Sequence, residues 1–250
     1  MIKFFRHIRQ TLISENNMSK STSAKAAAGK YFKYAIGEIL LVVVGILLAL
    51  QVNNWNQNRV NSQKEKSILA SLHKEFVENK SQFDTVMFYH KRAHRSAKTL
   101  EKMFPIQLNE QTLDSVKKHL GFLLYTYTYN PSQGSINGII NTSSFNIISN
   151  DELRGLLVAW QDLVLDFQED ELNTKKVVAD LIDPYLSDHV DFDFNFNDKR
   201  NNLKVFEGLK FEYLVKLRST TLGDIFRYNA EYYRLEKSLN KIIELTDPKQ

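Results

Sequence analysis

The sequence contains no cysteine among its 250 residues. Without a thiol the chain can form no disulfide, no thiolate metal site and no cysteine nucleophile, and it has no cysteine for lipidation. Glycine and proline are scarce, at 9 and 4 residues, whereas average usage of roughly 7% and 5% corresponds to about 18 and 12. Because a chain this poor in turn residues makes few tight turns, we expect long helices.

Sequence motifs of common enzymes are also missing. The chain has no G-x-S-x-G elbow, no P-loop and no G-x-G-x-x-G, which are the signatures of hydrolases, nucleotide-binding proteins and dinucleotide-binding enzymes. The acids of residues 169–171 are interpreted as the solvated face of a helix. We therefore predict that the protein is not an enzyme, and we predict no catalytic residue and no cofactor.

Positive charge is concentrated at the start of the chain. The formal net charge is +4, but residues 1–33 hold seven lysines and arginines against Glu15 alone, a net of +6 that leaves −2 for the other residues. Because the larger part of the chain has no basic stripe, we expect no nucleic-acid partner.

One apolar run is long enough to suggest a membrane-spanning helix. Residues 39–50 are apolar without a break, and extending the helix to residues 34–52 gives about 28 Å, close to the roughly 30 Å of a hydrocarbon core. Tyr34 and Trp55 lie near its two ends, where aromatic side chains anchor a span. Since the cations precede it, the positive-inside rule predicts an uncleaved signal anchor with a cytoplasmic N-terminus. The alternatives are a buried core helix and a cleaved signal peptide.

These patterns divide the chain into four parts. Residues 1–33 form a basic tail that begins with an amphipathic stretch suited to an anionic membrane surface, or a frayed tail. Residues 34–52 form the transmembrane helix, residues 53–63 a polar juxtamembrane stalk, and residues 64–250 an extracytoplasmic helical domain.

The span also carries a candidate packing face. Glu38, Gly45 and Ala49 are spaced by seven and four residues, so they share one side of a helix. Small residues allow close helix approach, and a polar side chain in a membrane tends to face protein. We predict that this face packs on a partner's helix or on a second copy. The alternative is that Glu38 lies at the cytoplasmic headgroups.

Two segments carry a family resemblance: MIKFFRHIRQ at residues 1–10 and KYFKYAIGEILLVVVGILLALQVNNWNQNR at residues 30–59. They resemble the N-terminal signature of an uncharacterised family of single-pass membrane proteins from Gram-negative bacteria. A looser match continues at SFNIISNDELR. The resemblance implies a bacterial inner-membrane location with the C-terminal domain in the periplasm. It implies no catalytic residue, ligand or cofactor.

Beyond residue 63, apolar residues recur at helical spacing. They predict helices over residues 64–104, 112–124, 149–182, 203–217 and 222–245, with Ser149 and Glu152 as a capping box. Residues 124–129 and 190–196 instead alternate with period two, which is typical of strands. The predicted fold is mainly α: a transmembrane helix followed by an antiparallel helical bundle, possibly with a small β-hairpin.

Two groups of polar residues partly match the patterns of metal sites. His90 and His94 lie four apart, as ligands on one helix face do, but cations surround them and no third ligand is evident. We interpret them as surface histidines in a basic patch. Residues 191–198 imitate a calcium loop, with Asp183 and Asp188 as extra ligands, but lack its glycine and final acid. The favoured interpretation is a pleat whose acids face water, and no metal site is predicted.

The functional prediction is a membrane-anchored extracytoplasmic interaction or scaffold module. Its partners would be the lipid bilayer and a protein, or a second copy bound through the transmembrane helix. The alternatives are a ligand-sensing domain that works with a separate signalling partner, and an ion-coupled subunit that uses Glu38.

Overall fold

The computed structural model describes residues 24–227 and 231–249, which fall into two compact units, Met1–Asn61 and Ser62–Gln250. The predicted amphipathic stretch at the start of the basic tail lies outside the described residues. In the described part, the chain forms α1 (Ala24–Glu101), α2 (Glu110–Leu123), α3 (Gly134–Ile140), α4 (Asp151–Lys176), α5 (Asp183–Ser187), α6 (Leu209–Ile225) and α7 (Glu231–Leu245). A π-helical segment, Val177–Ile182, joins α4 to α5, and 3-10 turns occupy Ser143–Ile147 and Leu203–Glu207.

In the first unit, α1 carries the predicted apolar run. Its large apolar side chains are exposed, for example Ile39 at 64% and Leu48 at 62%. Among the described residues, α1 is the one helix that is long and apolar enough to cross a membrane. The predicted apolar helix is therefore confirmed. The helix also continues through residues 53–63, so the polar stalk is helical.

In the second unit, the core is built on the predicted stripe of α1. Leu72, Phe76, Phe83 and Leu100 are at most 1% exposed. The helix ends at Glu101, shortly before Pro105, as expected for a residue that cannot continue a helix. Helical periodicity correctly identified this face because the other elements of the unit pack against it.

Two of the long helices run parallel. Helices α1 and α4 make a series of contacts in which residue numbers increase in the same direction along both helices. The contacts are Phe76–Trp160 with ring centroids 4.8 Å apart, Phe83–Phe167 at 5.7 Å, and His90–Glu171 at 2.8 Å. A parallel pair needs a long crossover, and residues 102–150 provide it.

Helices α2, α6 and α7 run antiparallel to α1, because their contacts advance in opposite directions along the two helices. His73 near the start of the unit lies 3.2 Å from the Ile243 carbonyl at the end of α7. Ser219 of α6 donates to Glu101 at the end of α1, at 2.9 Å. Helix α2 also folds back on α1, with Arg92 over Phe122.

The predicted β-hairpin is wrong. No strand occurs in the described part of the chain. Residues 125–130 lie in neither helix nor strand, and helix side chains bond several of their backbone groups, as detailed below. Residues 190–198 form turns: the Asn201 side chain accepts from the Asp191 amide at 2.7 Å, and Phe194 has φ 50°.

Several element ends also differ from the prediction. The N-cap of α4 is Asn150, whose side chain accepts from the Leu153 amide, while the Ser149 amide donates to Glu65. Helix α6 continues to Ile225, beyond the predicted end at residue 217. Two apolar side chains within the predicted helices are largely exposed, Leu172 at 48% and Tyr233 at 45%.

Candidate functional site: an aromatic–arginine patch

A buried arginine fixes the beginning of the extended segment that follows α2. Arg218 of α6 is fully buried. Its guanidinium donates to the Leu123 carbonyl at 3.1 Å, the Tyr125 carbonyl at 2.6 Å, and the carbonyl and hydroxyl of Thr174 at 2.5 Å each. Burial lowers the pKa of Arg218 to about 10. These acceptors hold the segment against α4 and α6, because an unpaired buried guanidinium would be costly.

A buried carboxylate fixes the end of the same segment. Glu171 of α4 is fully buried, and it accepts from His90 Nε2 and from the Tyr129 amide, both at 2.8 Å. Gln168 donates to the Tyr129 carbonyl at 2.7 Å. Burial and the nearby Glu171 raise the pKa of the Tyr129 hydroxyl. The interpretation of Glu171 as a solvated acid and of His90 as a surface histidine is therefore wrong.

Helix α1 supplies a second clamp a few residues further on. Asn79 donates to the Ser132 carbonyl at 2.9 Å and accepts from its amide at 2.8 Å. Glu75 accepts from the Ser135 amide at 2.7 Å. Residues 123–135 are thus held by side chains of α1, α4 and α6 rather than by a second strand, which gives an irregular segment a rigid position.

This segment completes a cluster of aromatic rings at the surface. We call the cluster the aromatic–arginine patch. It consists of Phe88, Tyr89 and Arg92 of α1, Phe122 of α2, and Tyr125 and Tyr127 of the extended segment.

Inside the patch, the rings pack on one another closely. Tyr89 and Tyr127 are stacked with centroids 4.1 Å apart and planes 10° apart. Tyr125 contacts both in edge-to-face fashion, at 5.5 and 6.0 Å. The Arg92 guanidinium carbon lies 3.7 Å from the Phe122 ring centroid, within the range of a cation–π interaction. Phe88 remains 55% exposed, so the patch presents an open apolar surface.

A shallow groove of about 600 Å³ runs along α1 into this patch. Its lining residues are Val77, Lys80, Ser81, Asp84, Thr85, Phe88 and Tyr89. Lys80 and Asp84 pair across one turn at 2.6 Å, so the groove itself is close to neutral.

Cations follow the groove on the same helix. Lys91, Arg92 and Arg95 are exposed, and among the described residues none of the three forms an ion pair with a carboxylate. Unpaired arginines beside aromatic rings can bind carboxylates bidentately. The patch therefore combines an apolar centre with a positive edge.

Neither candidate metal site is assembled. His90 is directed at Glu171, while His94 stacks on Phe226 with centroids 5.5 Å apart. Burial, with the nearby Lys98, lowers the pKa of His94. In the described part of the chain, no three histidine or acidic side chains are close enough to hold a metal ion.

The acids of residues 191–198 are occupied locally. Asp191 accepts from the Asn195 amide at 3.2 Å and from the Asn201 side chain at 2.5 Å. Asp198 pairs with Arg200 at 2.6 Å, and hydrogen bonds from that guanidinium lower the pKa of Asp198 to about 2. These acids stabilise a turn, and the predicted pleat is wrong.

The predicted membrane residues lie on one helix. Glu38, Gly45 and Ala49 are exposed along α1, and a methyl group added at Gly45 would meet no neighbouring atom. Trp55 is 65% exposed, and the side chain of Tyr34 lies outside the described part. The prediction that these residues pack on another helix and anchor the span stays a prediction.

Sequence reasoning missed the aromatic–arginine patch. Its only signal was the alternation of Tyr125, Tyr127 and Tyr129, which was interpreted as a strand. The contacts of these tyrosines with Tyr89 join positions far apart in the chain, which local spacing does not reveal.

Comparison with known protein families gives a match over half of the chain. A family model described as a family of unknown function, DUF6090, matches residues 38–163, just over half of the chain. No curated protein and no solved structure matches. The matched range contains the apolar part of α1 and every residue of the patch.

Proposed function

The chain belongs to the DUF6090 family, a family of unknown function, and we propose that it is a membrane-anchored module that binds a protein partner through the aromatic–arginine patch. The observation that carries the proposal is the composition of the patch. Tyrosine, phenylalanine and arginine are enriched where proteins bind one another and contribute much of the binding energy there. An exposed cluster of this kind is more than the isolated apolar residues found on any surface.

Rigidity supports the same proposal. The extended segment that carries Tyr125 and Tyr127 is held by the buried Arg218 and Glu171. A surface that is ordered before binding loses less conformational entropy when a partner docks. Buried polar side chains therefore have a functional consequence here, because they keep the tyrosines in one arrangement.

Anchoring would be provided by the apolar part of α1. The cation excess before residue 34 supports an orientation with the N-terminus in the cytoplasm and the second unit outside, which is the periplasm if the membrane is a bacterial inner membrane. Tyr34 and Trp55 would lie at the two interfaces. Glu38, Gly45 and Ala49 would face another helix, either of the partner or of a second copy.

Capture from native membranes tests the proposal. The full chain is expressed as wild type, as a patch variant with Phe88→Ser and Arg92→Glu, and as a control with Leu209→Ser, since Leu209 is 84% exposed and lies outside the patch. After chemical crosslinking, wild type and control should retain one stoichiometric protein, while the patch variant loses about tenfold or more of it. Equal retention by the patch variant would contradict the proposal. A small molecule released from the purified chain, with no protein retained, would favour a ligand sensor instead.

A further inference from the structure

Helix α4 has an apolar stripe on the side turned away from the core. Val158, Leu165 and Leu172 are 60%, 55% and 48% exposed. They recur every seven residues, and Asp162 and Glu169 lie between them. At roughly 100° per residue these five side chains fall within about 80° of the helix circumference. We call them the α4 stripe.

The α4 stripe is not explained by the fold. The opposite side of the same helix already buries Leu157, Trp160 and Val164, so the bundle does not need the stripe. Apolar residues repeated at seven-residue spacing are typical of helix–helix contacts. Among the described residues, Asp162 and Glu169 form no ion pair, so the stripe presents free negative charge beside its leucines.

The aromatic–arginine patch has the complementary character. Its exposed Phe88 provides an apolar centre, and Arg92, with the neighbouring Lys91 and Arg95, provides free positive charge. Both surfaces lie at the same height along the bundle, because α1 and α4 are parallel and His90 contacts Glu171. Phe88 and Arg92 are next to that contact on α1, and Glu169 and Leu172 are next to it on α4.

We infer that the partner of the aromatic–arginine patch is the α4 stripe of a second copy of this chain. The inference rests on the proposed function and names its partner. Two copies anchored side by side stand in the same orientation, so α1 of one copy would run parallel to α4 of the next. Phe88 precedes Arg92 by four residues on α1, as Leu165 precedes Glu169 on α4. In the parallel pair Leu165 therefore lies opposite Phe88, and Glu169 opposite Arg92. The contact joins two different surfaces, so it is heterologous and extends from copy to copy.

Other pairings of the same surfaces are less favourable. Two α4 stripes facing each other would bring Asp162 and Glu169 against their own copies, and two patches would do the same with Lys91, Arg92 and Arg95. Like charges placed together across an interface are destabilising. Packing the patch of one copy against the α4 stripe of another pairs opposite charges and also buries Phe88 against a leucine.

The absence of cysteine makes a site-specific crosslinking test direct. Two differently tagged full-length chains are co-expressed, one with Arg95→Cys and one with Leu172→Cys, and membranes are treated with a short bismaleimide. The control replaces Leu172→Cys with Leu209→Cys. We expect about fivefold more mixed product from the first pair than from the control, because only the first pair is aligned by the contact.

Charge exchange then tests the specific pairing. Glu169→Arg in the Leu172→Cys chain should reduce the mixed product to the control level, and adding Arg92→Glu to the other chain should restore it. Mixed product equal to the control, or product insensitive to both charge changes, would overturn the inference. If patch variants still lose a different captured protein in that case, the proposed function stands while the second copy is excluded as its partner.

Discussion

Glu171 is fully buried, although its place in an acidic run predicts a solvent-exposed side chain. It stands between Asp170 and Leu172 in an acidic run, and nothing local distinguishes it from a solvated acid. In the fold it bonds His90 of α1 and the Tyr129 amide. A carboxylate is buried only where donors compensate its desolvation, and both of its donors are distant in sequence.

The first prediction concerns that carboxylate. Glu171→Ala leaves the His90 Nε2 and the Tyr129 amide without a partner in the core, so the free energy of unfolding should decrease by about 3 kcal/mol. Urea unfolding of a fragment comprising residues 62–250 measures this change, because every buried apolar core residue of the described chain lies within that range. The exposed Glu169→Ala provides the control and should change stability by less than about 0.5 kcal/mol. A similar small change for Glu171→Ala would contradict the structure.

A second residue-scale prediction concerns pH. Burial lowers the pKa of His94 and of His119 below the usual 6.5. The unfolded chain therefore binds more protons than the folded chain as the pH falls below 6.5, and stability decreases there. Substituting both residues, His94→Gln and His119→Gln, should make the urea midpoint less dependent on pH between about 6.5 and 5 than it is in wild type. An unchanged or steeper dependence in the double variant would count against this assignment.

At the scale of elements, hydrophobic periodicity predicted the helices that bury one continuous face. The stripes of α1 and α4 were identified because each helix buries one side over many turns. Residues 124–129 were predicted as extended but given the wrong partner, since their backbone groups bond side chains such as Arg218, 95 residues away from Leu123. A hydrogen bond between a helix side chain and a distant backbone group leaves no periodic signal.

Helix ends were predicted less well, for a related reason. The helix predicted over residues 203–217 ends just before Arg218, Leu222 and Ile225, which are fully buried. Packing of these side chains continues α6 to Ile225, and tertiary contacts override weak local preference. Gly208, by contrast, precedes α6 as its N-cap.

The element-scale prediction concerns the apolar part of α1. Replacing Gly45 or Ala49 by isoleucine would add bulk to the helix face that holds the small residues and would prevent close approach of another helix. In a membrane two-hybrid assay, Gly45→Ile and Ala49→Ile should abolish self-association of residues 30–59, whereas Val43→Ile and Leu47→Ile should not. Equal signals from all four variants would show that this face has no role in association.

At the scale of the molecule, the aromatic–arginine patch could not be predicted from local sequence patterns. The patch is assembled from α1, the end of α2 and the extended segment, so Tyr89 and Tyr127 stack although 38 residues separate them. Composition nevertheless indicated the correct class of protein architecture. The low glycine and proline content and the long apolar run predicted a helical chain with one apolar N-terminal helix, and both are present.

Charge distribution over the whole chain leads to the last prediction. Lysines and arginines number seven before residue 34 and few follow the apolar run closely, so the second unit should be translocated and the N-terminus retained in the cytoplasm. Reporters that are active in only one compartment, fused after Gln250, should give signal with the extracytoplasmic reporter alone. The matched variant replaces the seven cations by glutamine and adds lysines at Asn53, Asn54 and Asn56. Because the positive-inside rule depends on the difference between the two flanks, this variant should shift signal toward the cytoplasmic reporter. Cytoplasmic signal from the wild-type fusion would show the opposite topology, in which the patch faces the cytoplasm.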